Sequence, residues 1–181
     1  MASHFWKGNK DYSVAFVFSA PGRMESNSGR PVTGDTGSNM DKILKELNHL
    51  DSKTFPSGNR YDYLITNSSP RVFYAKKDNG RTEDKVKNIN NSKNIERILN
   101  EIVDCSIVIL CGKRAQKIKP HIKGKKIVTC CHFGNKGLRN NYPNRHEEMK
   151  NLDRTERDRK RMLLCAESIH KSLTMTIDIP D

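Results

Sequence analysis

The chain has 181 residues, 34 % hydrophobic and 30 % charged, with 33 Lys and Arg against 21 Asp and Glu and a formal charge of +12. That length fits one domain with a proper core, predicted over residues 1–181, and the basic excess predicts a polyanionic partner, nucleic acid first, with a basic housekeeping surface as the alternative. No apolar run approaches the roughly 18–20 residues a membrane span needs, and MASHFWKGNKDY lacks a signal-peptide core, so a cytoplasmic protein without membrane contact is expected.

In chain order, Val14-Ala15-Phe16-Val17-Phe18 reads as a buried strand. Ser19-Ala20-Pro21-Gly22 breaks it and opens a polar loop punctuated by Gly22, Gly29, Gly34 and Gly37. A helix is predicted from Ser38-Asn39-Met40-Asp41, with Met40, Ile43, Leu44 and Leu47 on one face. Strand, glycine-rich loop and helix N-terminus in succession make an anion- or ligand-binding corner. An ordinary βα connection needs only about 2–6 residues, so the length of this one marks a working loop. Asp51 to Arg60 is turn-rich, Tyr61 to Thr66 a second strand, and Asn67-Ser68-Ser69-Pro70 ends it.

Phe73 to Ser92 is polar and lysine-rich, which predicts a surface loop able to approach phosphates; its charges equally suit a solvated face. Ile95, Ile98, Leu99, Ile102 and Val103 recur at helical spacing from Asn94, capped from Ser92. Ser106 to Leu110 is a third buried strand, Lys113 to Lys119 a short helix ended at Pro120, and Lys126 to Cys130 a fourth strand. Cys131-His132-Phe133-Gly134 follows it, and Arg145 to Leu173 is a charged helical stretch. Alternating strands and helices predict an α/β fold of three layers, α/β/α, around a largely parallel four-stranded sheet. No internal repeat is visible. The five cysteines, Cys105, Cys111, Cys130, Cys131 and Cys165, show no paired C-x-x-C spacing, as expected of a reducing compartment.

The loop wording A-P-G-x-x-E-x-x-x-G-R-P-x-x-G-x-x-G, from Ala20 to Gly37, resembles the first motif of the uracil-DNA glycosylase superfamily, above all its family 4 branch. Two further elements follow in the same order: the strand ending Thr66-Asn67, and His132 just after the last core strand. The resemblance implies that His132 donates a hydrogen bond to the departing pyrimidine. It implies that Asn67 reads the base edge, and that Ala20, Pro21, Gly22 and Val32 shape the base pocket. It further implies DNA contacts by Arg30, Lys136 and Arg139, with Leu138 as a wedge filling the gap left by the extruded base. Taken without the first motif, Asn67 reads as a strand terminator in an Asx-turn, His132 as structural and Leu138 as core edge.

This chain departs from the family 4 pattern in four places. Ser19 stands where that branch has a glutamate before A-P-G, so Glu25, with Asp35 behind it, is the expected carboxylate and Ser19 a water-orienting group. Val32 replaces the stacking aromatic after G-R-P, and Phe133-Gly134 replaces Pro-Ser after the histidine. Family 4 also carries a four-cysteine iron–sulfur cluster; here the N-terminal cysteine pair is missing and Arg71 occupies the position of a third, so no cluster, metal or other cofactor is predicted. The resemblance thus implies a monofunctional DNA glycosylase acting on uracil or a 5-modified cytosine, such as a phage hypermodified cytosine. Its setting would be DNA repair or anti-phage defence, with DNA as partner and no obligate protein partner. The alternative is a non-catalytic DNA- or nucleotide-binding module on the same fold.

Overall fold

The computed structural model describes residues 4–175, so residues 1–3 and 176–181 of the predicted domain lie outside it. Its sheet is built from β1 (Phe5–Trp6), β2 (Val14–Phe18), β3 (Leu64–Asn67), β4 (Ile107–Cys111) and β5 (Lys126–Cys130), in the spatial order β1-β3-β2-β4-β5. Neighbours are parallel except β1, which pairs antiparallel with β3 through Phe5↔Thr66 and Trp6↔Ile65. The predicted four-stranded sheet therefore gains a fifth, two-residue edge strand. So short a segment shows no alternation in sequence; the Trp6 indole N–H holds it down by donating to the Tyr61 carbonyl at 2.9 Å.

Both faces of the sheet are covered, because the period-2 geometry of each strand sends alternate side chains to opposite layers. Val14, Phe16 and Phe18 of β2 pack with Met40, Ile43, Leu44 and Leu47 of α2 (Gly34–Leu50) and with Met162, Cys165, Ala166 and Ile169 of α6 (Arg154–Thr174). Ala15 and Val17 face Ile95 and Ile98 of α4 (Ser92–Glu101), together with Ala115 and Ile118. Each of the buried Val, Leu, Ile, Phe and Met side chains contributes about 1.5–3 kcal/mol. Cys105, Cys111 and Cys130 are buried among these apolar side chains, and all five cysteines are free thiols.

Several element boundaries differ from the sequence expectation for local reasons; the predicted Tyr61–Thr66 strand runs from Leu64 to Asn67, because Arg60–Asp62 form a 3₁₀ turn capped by the Asn59 side chain. Helix α2 starts at Gly34, not at Ser38, with Thr33 as its cap. Two glycines in its first turn read as loop, yet Gly37 is there because a Cβ would sit 2.3 Å from the Val32 carbonyl oxygen. Asp41, at the predicted helix start, lies inside the helix and accepts from the Arg60 N–H and guanidinium. The predicted loop before it holds a short helix, α1 (Arg23–Ser28), ended by Gly29 in the left-handed region at φ 67°. The segment 113–120 forms a 3₁₀ helix, Ala115–His121, with Pro120 inside it.

Further along, α3 (Val86–Ile89) breaks the predicted 73–92 loop. The charged C-terminal stretch becomes regular only at Asp153, whose capping box with Glu156 opens α6. Strand order reverses at β2: the chain passes from β2 to β3 on one side, then returns to β4 on the other. Open α/β sheets bind ligands at the carboxyl ends of strands at such a reversal.

Candidate active site

A cleft of about 1140 Å³ lies at that place, lined by the ends of β2, β3 and β5 and by the loops that leave them. It exceeds the ~300–1,000 Å³ of ordinary small-molecule pockets. Phe18, Ser19, Ala20, Gly22, Val32, Asp35, Asn67, His132 and Lys136 all contribute to its wall, so three segments far apart in sequence converge as expected.

His132 follows β5 directly and packs edge-on against Phe18, ring centroids 5.7 Å apart. The Gly134 N–H donates to its Nδ1 at 3.0 Å. Nδ1 is therefore an acceptor, and the proton of the neutral ring sits on Nε2. Burial holds the imidazole pKa below its ordinary value, with the Glu83 carboxylate pulling weakly the other way. A neutral donor in the wall of a cleft is the result. Two glycines allow this packing: a Cβ on Gly112 would come within 3.1 Å of the His132 Cβ, and one on Gly137 within 2.2 Å of the His132 carbonyl oxygen. Gly137 lies in α5 (Asn135–Asn141), a helix not predicted from sequence.

Asn67 ends β3 and is 2 % exposed. Its Nδ2 donates a 3.3 Å bond to the His4 carbonyl, and its backbone carbonyl accepts from Arg97 at 2.8 Å. The side-chain amide is held through Nδ2 alone, while the Arg97 bond fixes the backbone that carries it.

The carboxylates are arranged differently from the sequence expectation. Glu25 lines the cleft, but its Oε2 accepts from the Gly22 N–H at 3.0 Å and its Oε1 from the Thr33 N–H at 3.1 Å. It staples the A-P-G turn to the start of α2, so both oxygens serve the loop. Asp35 is exposed on the first turn of α2 and accepts from Asn135 Nδ2 at 3.0 Å. Ser19, 6 % exposed, donates through its hydroxyl to Glu83 Oε1 at 3.2 Å. Glu83 was not anticipated. It comes from the segment that also supplies Phe73, Tyr74, Ala75 and Thr82 to the wall. Nothing periodic marks it, and its contact with Ser19 spans 64 residues of sequence.

That segment is tied at both ends. The Phe73 N–H donates to the Pro21 carbonyl at 2.9 Å, which is what Pro21, buried beneath it, does here. Asp84 is 5 % exposed and accepts from the Ser69 hydroxyl, Asn88 Nδ2 and the Lys85 N–H. Burial alone would raise the Asp84 carboxyl, but those bonds outweigh it and hold its pKa below the usual carboxylate value.

The remaining predicted contacts divide. Lys136 is exposed at the cleft. Arg139 is exposed on α5 beside a second recess of about 260 Å³, shared with Arg154, Arg157 and Arg161. Arg30 does not line the cleft; its guanidinium lies over Trp6 at 5.0 Å and over Tyr61 at 5.6 Å, drawn there by the two ring faces. Leu138 is 2 % exposed, on the apolar side of α5 that joins the core, so it is not presented as a wedge. Val32 is buried at the cleft wall in the left-handed region, φ 54°, a conformation costing a β-branched residue about 1–3 kcal/mol.

The family model described as Uracil DNA glycosylase superfamily matches residues 5–172. The chain belongs to the uracil-DNA glycosylase superfamily. Its characteristic reaction, base excision from DNA, is compatible with a donor histidine, a fixed amide and a cleft at the sheet's reversal. No curated protein matches the sequence. Among the described residues no group of three or more His, Cys, Asp or Glu is placed to hold a metal ion, and no helix is long and apolar enough to cross a membrane.

Proposed function

We propose that this superfamily member is a monofunctional DNA glycosylase that hydrolyses the N-glycosidic bond of a pyrimidine flipped out of DNA, leaving an abasic site. The observation that carries the reading is the tautomer of His132, whose Nδ1 is occupied by the Gly134 N–H. Bond breaking puts negative charge on the departing base, and a preorganised donor at its O2 stabilises that charge most as it develops. A neutral imidazole does this without a proton transfer. Asn67 would hold the base edge and Lys136 the phosphate backbone beside it. The Ser19 hydroxyl would orient the water that adds to C1′ on the sugar face.

For the base itself, we place a 5-modified pyrimidine beside uracil as the candidate, on two features of the wall. Val32 stands where an aromatic would close on the ring, and a Cβ added to Gly22 would meet only Glu25 Oε2 within 4 Å. That contact is tight, at 3.0 Å, so the room for a C5 substituent is the space left by the missing Gly22 side chain and the cleft of about 1140 Å³ beyond it. Hypermodified cytosine of phage DNA is the proposed substrate class, which would give the enzyme a defensive role; uracil repair is the competing one.

The test is abasic-site formation on matched oligonucleotides carrying uracil, hydroxymethylcytosine, glucosylated cytosine or no modification, with wild type and His132→Ala. Product from one DNA, lost in the variant, is expected. Excision of uracil alone would remove the modified-base assignment. Retained DNA binding without product on any member would favour the binding module.

A further inference from the structure

Ser19 leaves this chain without a carboxylate where the family 4 pattern has one, and the two acids of the first motif do not replace it. Glu25 accepts from two backbone amides of its own loop and Asp35 from Asn135 Nδ2, and neither of these bonds involves Ser19. A third carboxylate does reach the place. Glu83 Oε1 accepts from Ser19 Oγ at 3.2 Å, and its Oε2 pairs with Arg114 Nε at 3.1 Å. Its side chain is 43 % exposed, so it remains open to water. Its position is set by the next residue, Asp84, which is buried and bonded to Ser69, Asn88 and the Lys85 N–H.

We infer that Glu83 is the catalytic carboxylate of this chain, holding with Ser19 the water that attacks C1′ and accepting that water's proton. The inference rests on the glycosylase reading. In the step, the bond between base N1 and C1′ breaks with its electron pair going to the base, whose O2 is held by His132. The water oxygen bonds to C1′, and its proton goes to Glu83 and from there to the free base or solvent. Base and a C1′ hydroxyl are the products, and no further reactant is needed. Glu83 also sets a negative charge near the sugar as its positive charge develops. Arg114 holds the other carboxylate oxygen, at 3.1 Å. A binding-only module has no use for an acid beside DNA phosphates, where it repels the ligand.

The experiment is single-turnover cleavage by the full chain on whichever of the uracil, hydroxymethylcytosine or glucosylated-cytosine oligonucleotides the wild type processes. Glu83→Gln should lower the rate by about 10²–10⁴-fold, the usual worth of a positioned base. Its DNA affinity should hold or rise, since a repelling charge is removed. Added formate should return part of the rate to Glu83→Ala, because the small anion occupies the vacated site. Ser19→Ala should lose about 10- to 100-fold, the value of one hydrogen bond to a charged group. A Glu83→Gln rate within about threefold of an active wild type would overturn the assignment and leave the glycosylase reading intact. Loss of DNA binding or of the melting midpoint in step with the rate, without formate rescue, would also overturn it by showing a structural role. An inactive wild type on every DNA would overturn both.

Discussion

The Gly134 N–H donates to Nδ1 of His132 at 3.0 Å, and this one bond decides what the histidine can do. A doubly protonated ring would place an N–H against an N–H, so the fold favours the neutral form, as burial does. With the folded pKa below the ordinary value of about 6.5, the unfolded chain binds the proton first as pH falls. Stability from this group is complete above that value and declines as pH drops toward the lowered one. The catalytic rate should stay flat from neutrality through pH ~6.5 and fall only below it. A pH–rate profile breaking at or above the ordinary imidazole value would contradict the buried neutral donor.

Gly137 makes the same site possible by close approach. A Cβ there would stand 2.2 Å from the His132 carbonyl oxygen and 2.9 Å from its Cβ. Gly137→Ala should push α5 off the histidine, costing ~1–3 kcal/mol of stability and most of the activity. Thermal denaturation and cleavage assays on the same preparation check it; an unaltered melting curve would show that α5 is free to move.

Glu25 should behave as a loop staple. Glu25→Ala leaves the Gly22 and Thr33 N–H groups without their acceptor and should destabilise the protein by ~1–3 kcal/mol. Glu25→Gln, whose amide has one acceptor oxygen, should fall between it and wild type. Glutamine restoring nothing in stability, while activity alone collapses, would return Glu25 to a catalytic role.

The arginines beside α5 should bind backbone phosphate. Arg161 is 3 % exposed and committed to Tyr142, Asn144 and Asp158, whereas Arg139 and Arg154 are exposed at the same recess with Arg157 between. Replacing Arg139, Arg154 and Arg157 by Gln should weaken DNA binding alike for every sequence. The salt slope should fall by about 0.9 for each phosphate no longer neutralised. Binding measured from low to moderate salt tests this, and an unchanged slope would place the DNA elsewhere.

Much of this was legible in the sequence. The strands Val14–Phe18 and Lys126–Cys130 have the bounds that their apolar runs predict, and Met40, Ile43, Leu44 and Leu47 form the buried stripe of α2. Burial writes a period into a chain, and residues next to one another carry it. The order of A-P-G turn, Asn67 and His132 likewise places three strand ends at one cleft, because a parallel sheet aligns the carboxyl ends of its strands.

Only the tertiary structure decided which side chains are free to act. Glu25 and Glu83 are both loop carboxylates in sequence, yet one is bonded to two local amides and the other is carried across 64 residues to Ser19 and paired with Arg114. Arg30 went to a pair of aromatic rings and Leu138 into the core, both choices set by neighbours distant in sequence. A loop has no period to reveal such contacts: its conformation follows from hydrogen bonds and packing made only after the sheet has brought its ends together.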